Sequence, residues 1–321
     1  MKLGLFTVLY PELDLESILE CAQQLGCGAL EFSSLPGRGL RHFDPVEINR
    51  STLVRERFQE ELRKRDFIIS QLNCSCNALS PDPEQARQAR EAFELTFQLA
   101  EKLNVRTVGS FSGCPGGCAD DRTPNWITCP WPPEYLQMLK WQWEERLIPF
   151  WTWAAERAAQ FGVTQLAIEM HPGFCVYNPE TLLRLREAVG PVIGANLDPS
   201  HLAWQGIDIP EAIRALKGAI WHVHAKDVCV DTQNVRRNGV LDTKHYSRAA
   251  ERAWTFRTVG DGMDEQTWKR IIAALRLAGY DGVLSLEHED LLLPRQEGAE
   301  RAAAFLHRLI PRQQPERLWW A

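Results

Sequence analysis

The chain has 321 residues, a formal charge of −6, and 45% hydrophobic against 24% charged residues. That length suits one barrel-sized domain or two smaller ones, and the acidity gives no broad attraction to nucleic acid or to an anionic membrane. No apolar run reaches the ~18 residues of a membrane helix, the N-terminus lacks a signal-peptide pattern, and nine cysteines without an export signal point to a reduced, cytoplasmic setting.

Short apolar runs alternate with longer amphipathic ones along the whole chain. The predicted strands are LGLFTV (3–8), GALEFS (28–33), FIISQLN (67–73), VRTVGSF (105–111), QLAIEM (165–170), VIGANLD (192–198), AIWHVHA (219–225) and GVLSLEHE (282–289). Several are apolar on both faces, as in a parallel sheet covered on both sides. Helical periodicity fills the intervals: 14–25, 52–65, 83–103, 134–160 with a break near Pro149, 179–189, 209–216, 265–278 and 297–309. Eight strand–helix units favour a closed (β/α)8 TIM barrel or a doubly wound sheet. The chain opens without a Gly-rich phosphate fingerprint, which counts against a dinucleotide fold.

Two connections are long, 112–133 after the fourth strand and 228–263 after the seventh. In a barrel both would emerge at the C-terminal face, where long loops serve as lids or binding loops. The barrel is expected to span 1–311, with 312–321 as a C-terminal tail. That tail carries Trp319 and Trp320, which would pack on the barrel or on a second copy in a homo-oligomer. Cys74-Ser75-Cys76 and the pair Cys114 and Cys118 lack the spacing of a zinc ribbon and read as buried or loop thiols.

Four successive strands end on a group that can bind a metal: Glu169, Asp198 in NLDPSH, His224 in WHVHAKD, and Glu287 in SLEHED. A barrel gathers those ends into one ring. Taken singly, each has a plainer explanation. A glutamate at a strand end is commonly solvated, Asp198 can cap the next turn, and a lone histidine commonly sits satisfied in a core. Together they form a hard, oxygen-rich set suited to one divalent ion, Mn²⁺ first, with Mg²⁺, Co²⁺ or Zn²⁺ also accommodated. His201, one helical turn past Asp198, and His171, two residues past Glu169, extend the set. Asp227 is placed to orient an imidazole from behind. Arg257 precedes a Gly-flanked turn that can bring it to the mouth, although a surface arginine on a long loop reads equally well. His222 and Lys226 are weaker candidates.

These spaced motifs (IEMHPG, NLDPSHL, HVHAKD, TVGDG and SLEHED) resemble the xylose isomerase-like TIM-barrel superfamily, the sugar phosphate isomerase/epimerase group, over nearly the whole chain. The resemblance implies a single-domain barrel with Glu169, Asp198, His224 and Glu287 as metal ligands; Glu169 and Glu287, on opposite sides of the substrate, are the expected proton-transferring pair. It places His201, Arg257 and His171 against substrate. The implied activity is isomerisation or epimerisation of a small keto sugar or cyclitol. Lyase or dehydratase chemistry on a 3-keto glycoside or cyclic polyol is the alternative, and a non-catalytic sugar-binding barrel a third. The superfamily's endonuclease branch fits poorly: the early strands end in Glu31-Phe32-Ser33 and Asn73-Cys74-Ser75, without the extra histidines, and the chain is acidic. No Gly-rich phosphate loop follows Glu287, which favours a neutral substrate.

Overall fold

The computed structural model describes residues 1–311 and Gln313. Eight parallel strands close into a barrel: β1 (Lys2–Phe6), β2 (Ala29–Ser33), β3 (Ile68–Asn73), β4 (Thr107–Phe111), β5 (Gln165–Glu169), β6 (Ile193–Leu197), β7 (Ile220–Ala225) and β10 (Val283–Leu286). Going round the barrel, the order is β1-β10-β7-β6-β5-β4-β3-β2. The remaining two strands, β8 (Asp227–Val230) and β9 (Trp254–Arg257), form an antiparallel hairpin within the long segment after β7. The expected (β/α)8 TIM barrel is the observed fold. Of the expected tail, only Gln313 lies among the described residues; Trp319 and Trp320 lie outside them.

Helices wrap the barrel because their apolar stripes match the apolar outer face of the strands. Helix Pro83–Leu103 starts where the Asp82 carboxylate accepts from the Glu84 and Gln85 amides, with Pro83 pre-set at the first turn. It ends at Asn104, which adopts the left-handed conformation. Its Phe93 packs edge-on against Phe150 and Trp151 of helix Ile148–Gln160. Each such fully buried ring contributes roughly 1.5–3 kcal/mol of burial free energy. The predicted break near Pro149 takes a specific form. Gln142–Leu147 is one turn of π-helix joining helix Glu134–Trp141 to helix Ile148–Gln160. The extra residue per turn accommodates Pro149, which cannot donate to a regular α-helical ladder.

Some short elements were not anticipated from periodicity. Helices Pro45–Arg50, Pro199–Ala203 and Thr232–Asn238 are too short to show a period, and the β8–β9 hairpin sits inside an expected loop. Among the described residues, no helix is long and apolar enough to cross a membrane. Cys74 and Cys114 are buried, Cys76 is half-buried and Cys118 is exposed.

Candidate metal and proton-transfer site

The C-terminal ends of β5, β6, β7 and β10 meet at one point. Glu169 is the last residue of β5, and His224 the last but one of β7. Asp198 and Glu287 each stand one residue past a strand. Each of these four groups offers a ligand atom, and the four atoms all lie within 4.8 Å of one another. Asp198 combines its two readings. Its Oδ1 accepts from the Ser200 amide at 2.8 Å and caps helix Pro199–Ala203, while its Oδ2 is buried without a hydrogen-bond partner. Glu287 Oε2 is buried and lacks a hydrogen bond as well, although it lies 2.9 Å from His224 Nδ1. Two orphaned carboxylate oxygens beside an imidazole nitrogen are the chemistry a divalent cation satisfies, so the residues fit the expected metal.

The buried carboxylates also share nearby nitrogens. Lys226 Nζ lies 3.1 Å from Glu287 Oε1, 2.8 Å from Glu289 Oε2 and 4.0 Å from Asp198 Oδ2. Burial acts first on every group, and the neighbours decide the outcome. Burial pushes Glu169 well above the usual carboxylate range, with Glu287 and Asp198 adding to it against His224 and Lys226. Asp198 is pushed up to about 6, again chiefly by burial. Glu287 goes the other way, because Lys226 and His224 outweigh its burial. His224 is held well above the ordinary imidazole range: Glu31 and Glu287 overcome its desolvation.

Glu31 is the residue that sequence reasoning missed. It is fully buried in the middle of β2, with both oxygens 3.1 Å from His224 Nε2. Gln71 and Asn73 donate to its Oε1 at 2.8 and 2.9 Å, and Ser285 donates to Oε2 at 2.7 Å. Burial alone would raise its carboxyl, but His224 and His222 bring it down to about 2. It therefore stands as a carboxylate behind His224, leaving Nδ1 facing Glu287 and Glu169. A signal was present in the sequence: a glutamate inside an otherwise apolar strand, with polar Gln71 and Asn73 on the next strand.

That place was expected for Asp227, and the structure corrects it. His222, His224 and Lys226 alternate along one face, so Asp227 points the other way. Its oxygens accept from the amides of Val228, Gly260 and Met263 at 2.7, 2.7 and 2.9 Å and from the Trp268 indole at 3.0 Å. It pins the TVGDG turn. There a Cβ on Gly262 would come within 2.6 Å of the Val228 carbonyl, so only glycine fits. Asp227→Ala leaves four donors unpaired, and is expected to cost about 2–4 kcal/mol. Denaturant unfolding checks this, with cation affinity expected to stay unchanged; a selective loss of affinity would instead return Asp227 to the site.

His201 and His171 come together beside the cluster, with ring centroids 4.1 Å apart. His201 Nε2 is 3.4 Å from both Glu169 Oε1 and Asp198 Oδ2. His171 lines a cavity of about 420 Å³ above the cluster, together with Glu169, Glu287, Lys226, Phe111 and Phe256. Arg257 is not brought into this lining. Its Nε is 3.3 Å from Asp290 Oδ2, and Asp290 also binds the Thr258 amide, so the guanidinium braces the mouth from outside. Lys226 is the cation in the cavity wall.

Burial keeps His201, His171 and His222 neutral, the last two down at about 4. For His222, the unfolded chain binds the proton first as pH falls below about 6.5. Its contribution to stability is therefore complete above that value and is lost as pH falls towards 4. Asp198, raised to about 6, works in the opposite direction, so a difference measurement is needed. His222→Gln should lose roughly 2 kcal/mol less stability than the parent between pH 7 and 5, measured by urea unfolding.

The family model described as xylose isomerase-like TIM barrel matches residues 14–309. A Bacillus subtilis (strain 168) protein named uncharacterized protein YfiH is 40% identical over 312 residues, covering 97% of this chain and 99% of its own length. Among solved structures, the probable 3-DHS dehydratase AsbF of Bacillus anthracis, involved in petrobactin synthesis, superimposes with a TM-score of 0.67 at 18% identity, covering 96% of this chain and 99% of its own. A D-psicose 3-epimerase crystallised with D-fructose gives 0.62 at 15% identity, with 96% of this chain and 99% of its own covered. The family model spans most of the closed parallel barrel, and the 40% identical relative spans nearly all of the chain: it belongs to the xylose isomerase-like TIM-barrel family.

Proposed function

We propose that this protein is a divalent-metal-dependent isomerase or epimerase of a small keto sugar or keto cyclitol. The observation that carries this reading is the convergence of Glu169, Asp198, His224 and Glu287 from four neighbouring strands beneath one cavity. These four residues would hold the ion. When bound, a divalent ion supplies Lewis acidity that polarises a carbonyl and acidifies the adjacent C–H.

The chain's own groups supply the proton transfers. Glu169 and Glu287 come from β5 and β10, which β6 and β7 separate in the barrel wall, so they approach the cluster from different sides. One carboxylate takes the proton next to the carbonyl. Return to the neighbouring carbon isomerises the substrate, and return to the opposite face of the same carbon epimerises it. Lys226 offers a positive charge to the oxygen on which negative charge develops. His201, with both ring nitrogens buried and free of hydrogen bonds, is available to a substrate hydroxyl. Phe111 and Phe256 offer apolar walls to the C–H face of a ring and limit water at the reacting carbon.

Lys226 also favours a second reading, a lyase. Loss of a β-hydroxyl after the same abstraction needs a proton for the departing oxygen, and a lysine ammonium in the cavity wall can give one. A panel of neutral keto sugars and keto cyclitols in D₂O with Mn²⁺ separates the two readings. The first requires deuterium at the carbon beside the carbonyl with no loss of water. The second requires loss of water and a new conjugated-enone absorbance. Neither signal from any panel member, with Mn²⁺ shown to be bound, would remove both.

A further inference from the structure

A second cavity, of about 750 Å³, lies between helix Pro83–Leu103, the segment after β4 and the turn of π-helix. It shares no lining residue with the cavity over the four-ligand cluster. We propose that it binds a flat organic anion: a planar apolar body carrying a phosphate or a carboxylate.

The charge of the wall selects the anion. Arg87 and Arg90 come from the long helix, Arg122 from the segment after β4, and Arg146 from the π-turn. Arg87 is already paired with Glu84 and Glu91. Arg90, Arg122 and Arg146 have no carboxylate partner among the described residues, and Glu145 is the single acid facing the same space. Three uncompensated guanidinium groups around one hollow, in a chain of net charge −6, make a local field opposite to that of the whole protein.

The apolar groups select a flat body. The Arg90 guanidinium lies 3.8 Å from the centroid of the Trp153 ring, and Arg146 lies 5.8 Å from that of Trp141. Guanidinium groups laid on indoles present N–H donors at the ring edge and leave hydrocarbon surface beside them. Buried Phe150 and Pro115 form the floor. The hollow is also built in advance of any ligand. Gln142 Nε2, in the π-turn, donates to the Gly116 carbonyl at 2.9 Å and the Asn125 carbonyl at 2.7 Å, fastening one wall to another. The anionic group would meet the guanidinium forks, and the planar body would stack on the outer face of the Arg90 guanidinium and lie against the hydrocarbon edges of Trp141 and Trp153.

Titration of the full-length protein with 8-anilinonaphthalene-1-sulfonate, which joins a planar body to an anion, tests the site by fluorescence. One saturable site per chain is expected, weakened at least about ten-fold in the Arg90→Gln/Arg146→Gln double variant at an unchanged unfolding temperature. Arg122→Gln serves as an independent single variant and should weaken binding as well. Competition then identifies the anionic group: displacement by AMP assigns a phosphate, and displacement by 2-naphthoate a carboxylate. Unsaturable binding, binding indifferent to all three arginines, or equal displacement by neutral adenosine or 2-naphthalenemethanol would overturn the proposal.

Discussion

Replacing Glu169 or Glu287 with Gln is expected to slow deuterium exchange beside the substrate carbonyl by about 10²–10⁴-fold, the usual weight of a positioned acid–base group. Gln keeps the size and one carbonyl oxygen of each side chain, so the barrel and most of the cluster should persist. It cannot take or return a proton. The two variants should differ in kind if the reaction is epimerisation. Each removes the group on one face of the substrate, so one abolishes exchange from one epimer and the other abolishes exchange from its mirror at that carbon. Single-turnover exchange from each epimer separately, with cation content measured alongside, resolves this. Near-normal exchange in either variant with bound cation would remove that glutamate from the mechanism.

The next largest effect is expected at Glu31. Its carboxylate only accepts, so it keeps a His224 proton on Nε2, and Nδ1, which faces Glu287 and Glu169, is the nitrogen left to give a lone pair to a bound cation. Glu31→Gln puts an amide donor into that space. An imidazole turned into an acceptor at Nε2 carries its proton on Nδ1, the nitrogen proposed to meet the cation. Loss of such a backing carboxylate costs about 10–100-fold in metal affinity. Mn²⁺ titration followed by electron paramagnetic resonance reads this without any substrate. Unaltered affinity would show that the orientation of His224 is set elsewhere, by Phe6 stacked against its ring or by Asn196 beside it.

The barrel and the proposed ligand positions were legible because both rest on local pattern. Strand ends can be counted from apolar runs, and a closed barrel turns equal positions on successive strands into neighbours in space. That is why Glu169, Asp198, His224 and Glu287 group together in the sequence alone. What was not legible depends on long separations. Glu31 meets His224 across 193 residues of chain, and only barrel closure makes them neighbours. Asp227 was misplaced because three of its four donors, on Gly260, Met263 and Trp268, lie 33 to 41 residues further along the chain, whereas His224 lies three residues away. Arg257 was misplaced because its partner, Asp290, lies in a separate loop 33 residues on. The β8–β9 hairpin was hidden by its short strands, which carry too few residues to show a period.

The carboxylate behind His224 also ties chemistry to assembly. All four proposed ligands come from the second half of the chain, whereas Glu31, Gln71 and Asn73 come from the first. The first half brings none of the four ligands, and the second has the ligands but lacks the carboxylate that backs its imidazole. Tight cation binding therefore becomes a report that the two halves have joined and the last seam, between β1 and β10, has closed. In a split-chain experiment, the affinity for Mn²⁺ should rise as the complementary fragment is added, so that the ion selects the completed barrel from among its partly assembled forms.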